Sequence, residues 1–130
     1  MDKKIILASK SKVRKEILDR NNIANTVKPS NIDENTIKSS LLSEKASPEI
    51  ISKNLAEVKA NKISMNYPDK LVLGADSVID LEGKLISKPK TREEAIEILK
   101  KLNGKKHQLI SSVCISKNGA MIWHHTDASS

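Results

Sequence analysis

The stretch Leu71-Val72-Leu73-Gly74-Ala75-Asp76-Ser77-Val78-Ile79 constrains this chain more than any other. It is apolar except for a short Gly-Ala-Asp-Ser interruption, the pattern of a strand buried on both faces. Such a strand needs a sheet with helices packed on it. The chain opens with another short aliphatic run, Lys4-Ile5-Ile6-Leu7-Ala8, and Asn25-Thr26-Val27-Lys28 reads as a third strand closed by Pro29. Between those two, Ser9 and Ser11 supply hydroxyls at a helix start. Val13, Ile17 and Leu18 mark the helix's apolar side and Asn21-Asn22 its end. Ser47-Pro48-Glu49 opens a second helix with a serine cap, a proline at the first helical position and an acid in the first turn. Its stripe of Ile51, Leu55 and Val58 runs to about residue 64, and Tyr67-Pro68-Asp69 stops it.

Beyond the central strand, Glu82-Gly83 makes a tight turn into a short strand over 84–87. Thr91 and Glu94 form a capping box ahead of Ala95, Ile98, Leu99 and Leu102, and Asn103-Gly104 terminates that helix. Strands over 107–116 and 120–125 flank Lys117-Asn118-Gly119, a β-hairpin signature. Residues 30–45 are polar with no clear period, which predicts a loop holding at most a turn of helix. The resulting order, βαβ–α–ββ–α–ββ, predicts a single α/β domain over 1–130, a mixed, twisted sheet flanked by helices. Three helices are too few to cover both faces of such a sheet. Trp123-His124-His125-Thr126-Asp127 would also stand as an edge strand, so the domain is expected to be C-terminally incomplete.

Composition narrows the function. The 130 residues carry 23 basic and 16 acidic side chains, a net charge of +7. Only Arg14, Arg20 and Arg92 are arginines, so the excess is lysine. Nucleic-acid binding is a minor reading of that charge, because the stacking aromatics used for single strands are missing: Trp123 and Tyr67 stand alone and there is no Phe. No apolar run is long enough for a membrane span or a signal peptide. The single Cys114 cannot form an internal disulfide, which fits a reducing cytoplasm.

Two local patterns could carry chemistry. The first is strand, then Ser9-Lys10-Ser11-Lys12-Val13-Arg14, then helix. Ser11 and Arg14, three residues apart, can face one point where helix N–H groups favour a phosphate or carboxylate; an ordinary capped, solvated helix start gives the same pattern. The second is Asp76 inside its apolar strand. A buried carboxylate costs several kcal/mol unless paired, metal-bound or at a cleft, so Asp76 is a metal ligand or general base, or else an acid at a bulge satisfied by backbone N–H groups. Weaker candidates are Asp33-Glu34, as a second acid in a loop; Lys59, mid-helix beside an apolar stripe; and Lys88, held extended before Pro89. His124 and His125 point to opposite faces and make a poor metal pair.

In order, these elements resemble the Maf family of nucleoside triphosphate pyrophosphatases. The matching stretches are Leu7-Ala8-Ser9-Lys10-Ser11-Lys12-Val13-Arg14, Asp33-Glu34, Leu55-Ala56-Glu57-Val58-Lys59-Ala60, Gly74-Ala75-Asp76-Ser77, Glu82-Gly83 leading to Ser87-Lys88-Pro89, and Leu102-Asn103-Gly104 followed by His107. The resemblance implies a fold shared with the inosine triphosphate pyrophosphatases and hydrolysis between the α- and β-phosphates of a nucleoside triphosphate. It implies Asp76 as the proton acceptor that activates water, with Glu34 and Asp76 holding a divalent cation, Mg²⁺ or Mn²⁺. Ser11, Arg14, Lys59 and Lys88 would bind the polyphosphate, and Arg14 and Ser77 fall where members tune base selectivity. The chain departs from the family pattern at Lys12, where proline is usual, at Val13, often arginine, and at Ser77, commonly threonine. It also lacks the glycine-rich segment and final strands of longer members. The alternative is a shortened, non-catalytic relative that binds nucleotide or dimerises.

Overall fold

The computed structural model describes residues 4–9, 12–81, 84–86, 91–104 and 107–129. Strand β1 (Ile5–Leu7) leads into helix α1 (Lys12–Arg20) and strand β2 (Asn25–Val27). Two helices follow, α2 (Glu34–Ser43) and α3 (Pro48–Ser64), and then the long strand β3 (Val72–Leu81). Strand β4 (Lys84–Ile86), helix α4 (Arg92–Leu102) and the hairpin β5 (His107–Lys117) and β6 (Ala120–Ser129) complete the order. The sheet runs β2-β1-β3-β5-β6, with β4 also pairing to β3. β1 is parallel to β2 and β3, whereas β4 and β5 are antiparallel to β3, so the sheet is mixed as expected.

Helix α3 makes the core. Ile51, Leu55, Ala56, Ala60 and Ile63 are buried, and they meet Ile6, Ala8, Val72 and Cys114 from the sheet. Gly74 permits this: a Cβ there would lie 2.3 Å from the Ala56 carbonyl oxygen, so only a glycine lets helix and strand come this close. Ser47 caps α3 through the Ile50 N–H at 3.3 Å, and Thr91 caps α4 through the Glu94 N–H at 3.1 Å. In the hairpin turn Asn118 and Gly119 both have positive φ, 53° and 84°, as a two-residue turn of that twist requires.

Two expectations fail. Residues 30–45 are not a loop: α2 fills ten of them, so four helices are present among the described residues, not three. The reason is local. Asp33 accepts the Thr36 N–H at 3.1 Å and its hydroxyl at 2.7 Å, a strong N-cap. No α2 residue is fully buried, and its half-buried face, Glu34, Ile37, Lys38 and Leu41 at helical spacing, is only half apolar. The stripes of α1 and α4 mislead in the opposite direction. Leu18 is the one buried residue of α1, and α4 buries none, leaving Leu99 66% exposed. Cys114 is buried as expected, and burial pushes its thiol pKa up to about 11.

Candidate active site

β1 pairs with β3 only through Val72 and Leu73, and β4 pairs from Ile79 onward. Between them, Gly74 to Val78 run past the carboxyl end of β1 with β5 alone beside them among the described residues. The chain leaves β1 towards β2 on one side and returns to β3 on the other, and ligands of open α/β sheets bind at such a reversal. Asp76 and Ser77 stand at this place and, as neighbours on a strand, face opposite sides of the sheet.

On the α3 side, Lys59 reaches from the helix to the strand. Its Nζ lies 2.5 Å from Glu34 Oε1 and 3.3 Å from Asp76 Oδ1. It also donates to the Ala75 carbonyl at 3.5 Å. The Lys59 side chain is only 14% exposed, so it is held in this contact rather than reaching to solvent. Asp76 is 8% exposed, and its Oδ2 has no hydrogen-bond partner. Burial raises the Asp76 pKa above the ordinary carboxylate value. The Lys59 ammonium opposes that rise, Glu34 reinforces it and Lys38 opposes it. The pair Asp33-Glu34 divides its labour. Asp33 is consumed by the α2 cap, which holds its pKa low through the Thr36 hydrogen bonds, and Glu34 meets Lys59.

On the other side, Arg14 of α1 donates to Ser9 Oγ at 3.1 Å and to Ser77 Oγ at 3.3 Å. A guanidinium only donates, so Ser77 accepts from it. Ser77 Oγ also shares a hydrogen bond with Ser111 Oγ, 3.0 Å away on β5. Burial lowers the Arg14 pKa against the pull of Asp76 and Glu34, which places the guanidinium within the field of both carboxylates. Glu34, Lys59 and Asp76 thus meet on one side of β3, from α2, α3 and the strand itself, and Arg14 of α1 meets Ser77 on the other. Ser11 and Lys88 lie outside the described residues.

Sequence reasoning did not single out Ser9 or Ser111 as partners of this site, or Lys38. The signal for Ser111 was present in the pair Ser111-Ser112, two hydroxyls interrupting the aliphatic run from Ile110 to Ile115. A groove of about 500 Å³ lined by Thr36, Ile37, Ser40, Leu41, Asn54 and Val58, among others, lies between α2 and α3 and does not include Asp76. The charge geometry, not this groove, marks the site. Among the described residues no helix is long and apolar enough to cross a membrane.

The chain resembles known proteins along its whole length. It is 68% identical over 130 residues to a nucleoside triphosphate pyrophosphatase of Pelagibacter ubique, covering all of this chain and 67% of that protein. It is 41% identical over 121 residues to a nucleoside triphosphate pyrophosphatase of Ruegeria pomeroyi, covering 93% of this chain and 61% of the relative. A 7-methyl-GTP pyrophosphatase of Brucella abortus shares 35% over 125 residues, with 96% of this chain and 63% of the relative covered. The chain therefore spans 61–67% of the length of these relatives. Among solved structures, a dITP/XTP pyrophosphatase of Mycobacterium abscessus superposes with a TM-score of 0.57 at 10% identity, covering 97% of this chain and 71% of its own. A HAM1 protein of Coxiella burnetii gives 0.56 at 16%, covering 96% and 71%. At those identities the likeness is one of fold, and it matches the expected fold shared with inosine triphosphate pyrophosphatases. The sequence profile of the Maf-like protein family matches residues 4–130, from the first strand through the last. With a 68% identical relative beside that match, the chain belongs to the Maf-like protein family.

Proposed function

We propose that this chain carries the site of a nucleoside triphosphate pyrophosphatase, which splits the anhydride between the α- and β-phosphates to release a nucleoside monophosphate and pyrophosphate. The observation that carries this reading is Asp76. It is a buried carboxylate with one oxygen tied to Lys59 and the other, Oδ2, without a partner beside an open strand edge. A free carboxylate oxygen with raised basicity suits a proton acceptor for water. The water proton passes to Asp76 as the water oxygen bonds to one phosphorus of the α–β bridge. The bridging P–O bond breaks, and its electrons leave with the departing phosphate group.

The donor set also fits a hard divalent cation. Mg²⁺ or Mn²⁺ accepts one or two carboxylates and takes its remaining oxygens from substrate phosphates and water. Glu34 and Asp76 are the two carboxylates that would hold it, which leaves Asp76 Oδ2 to take the proton. When bound, the cation supplies charge neutralisation on the phosphate oxygens. Arg14 and Lys59 bind further non-bridging oxygens as fixed cations, joined in this proposal by Ser11 and Lys88. Arg14 and Ser77 face the nucleoside end and set base preference. A cytoplasmic nucleotide pool is the compartment this reading calls for.

The test is pyrophosphate release from a panel of nucleoside triphosphates with Mg²⁺ or Mn²⁺. Asp76→Asn is expected to lower the rate by about 10²–10⁴-fold, the usual weight of a general base. No turnover by the pure protein, or turnover indifferent to Asp76→Asn, overturns the proposal. Nucleotide binding without turnover would instead support a non-catalytic relative.

A further inference from the structure

We infer that Lys59 is a resident counter-cation that keeps the Glu34–Asp76 pair closed to a bare divalent ion, so that the metal enters together with the triphosphate. This rests on Glu34 and Asp76 being the carboxylates that take the metal. One ammonium touches both carboxylates, at 2.5 and 3.3 Å, and so fills the space between them. The surrounding charge favours the same order of events. The Lys59 ammonium already answers both carboxylates, and Arg14 stands at Ser77, the next residue of the strand. A bare dication must displace that ammonium with nothing to receive it, whereas a metal–triphosphate complex brings net negative charge that can take it up. Among the described residues no cluster of three or more His, Cys, Asp or Glu forms a ready cage for an ion alone.

The backbone at Lys59 cannot retreat to make room. Ala56 and Ala60, one helical turn before and one residue after it, are fully buried against the sheet, and both lie beside Gly74. Only the side chain can swing. Triphosphate oxygens provide the place for it to swing to, a new counter-charge in exchange for the carboxylates it releases. Lys59 would thus serve first as stand-in for the metal and then as phosphate ligand.

Mn²⁺ binding to the chain without nucleotide, followed by electron paramagnetic resonance, tests this without turnover. Lys59→Met is expected to bind Mn²⁺ at least about tenfold more tightly than the wild type, because a unit positive charge in contact with both ligands has gone. Lys59→Gln should show the same gain, and Lys59→Arg none. Glu34→Gln in the Lys59→Met background should abolish the gain. The inference is overturned if neutral variants that retain the wild-type circular dichroism bind Mn²⁺ no more tightly. It is also overturned if the wild-type chain alone binds Mn²⁺ with a Kd below about 10 μM, the range of a preformed cation site. A gain in Mn²⁺ binding with no pyrophosphate release would uphold the gate while removing the proposed reaction. Turnover that needs Asp76, with no such gain, would do the reverse.

Discussion

Two sets of polar side chains are buried beneath the same helix and differ in one respect. Towards β5 and β6, Ser52 and Ser112 share a hydrogen bond of 2.6 Å, and Ser112 and Thr126 another of 2.8 Å. Ser116 donates to Asn61 at 2.5 Å, and Ser64 accepts the Gly119 N–H at 2.8 Å. Towards the strand edge, Lys59 bridges Glu34 and Asp76 and leaves Asp76 Oδ2 unmatched. The sets are neighbours, since Asp76 stands directly opposite Ser112 in the β3–β5 ladder. In the first, hydroxyls answer one another and tie helix to sheet. In the second, a charged oxygen is left over, the sole buried side-chain polar atom without a partner among the described residues. Polar burial under α3 is therefore of two kinds, architectural where it closes on itself and chemical where it does not.

Breaking both sets at once gives the largest effect. Gly74→Val forces a Cβ into the Ala56 carbonyl and pushes α3 off β3, and is expected to cost about 3 kcal/mol or more in urea unfolding. Nucleotide binding at the site should disappear with it. Breaking only the closed set is milder. Ser112→Ala removes the partner that Ser52 and Thr126 share and should cost about 1 kcal/mol, since Ser52 keeps its bond to the Glu49 carbonyl. Ser52→Ala breaks the same bond from the other side, so the double variant should cost less than the sum of the two single ones. A double-mutant cycle with no coupling would show that these hydroxyls do not act as a pair.

The subtlest contrast is with pH. The Asp76 pKa is raised above 3.8 in the folded chain. The folded state thus holds that proton more strongly than the unfolded one. Its contribution to stability is fully present below about 3.8 and is lost as pH rises through the raised folded value. Asp19 and Asp33, whose pKa values are lowered by hydrogen bonds, slope the other way. The difference between wild type and Asp76→Asn isolates Asp76: the wild type should lose stability relative to the variant as pH climbs above about 4, read from urea midpoints. A flat difference would mean that Asp76 is not perturbed.

Much of this was legible in the residues. Caps at Ser47 and Thr91, the Asn118-Gly119 turn and the buried strand around Asp76 each have a short-range cause, and each stands where the pattern placed it. α2 escaped because its half-buried face, Glu34, Ile37, Lys38 and Leu41, is half charged and reads as no apolar stripe; its cap, Asp33 with Thr36, was the clearer local sign. The exposure of α4 escaped for the converse reason, since a stripe announces an apolar side but not what lies against it. Asp76 stood out alone, as a carboxylate in an aliphatic run. Its partners Lys59 and Glu34 sit 17 and 42 residues away in the chain and share no pattern that composition or periodicity detects. Taken alone they were only weaker candidates, and the resemblance is what joined them to Asp76.

The overhang of β3 beyond β1 has a consequence for how the molecule matures. The hairpin of β5 and β6 closes over a three-residue reach, from Lys117 to Ala120, the kind of local pairing that forms early. The parallel pairing of Ile6 with Val72 instead joins segments 66 residues apart, and such closures are slow. Arg14 meets Ser77 only across that closure. The Arg14 half of the site thus waits on that long closure, whereas Lys59 and Asp76, 17 residues apart, can meet without it.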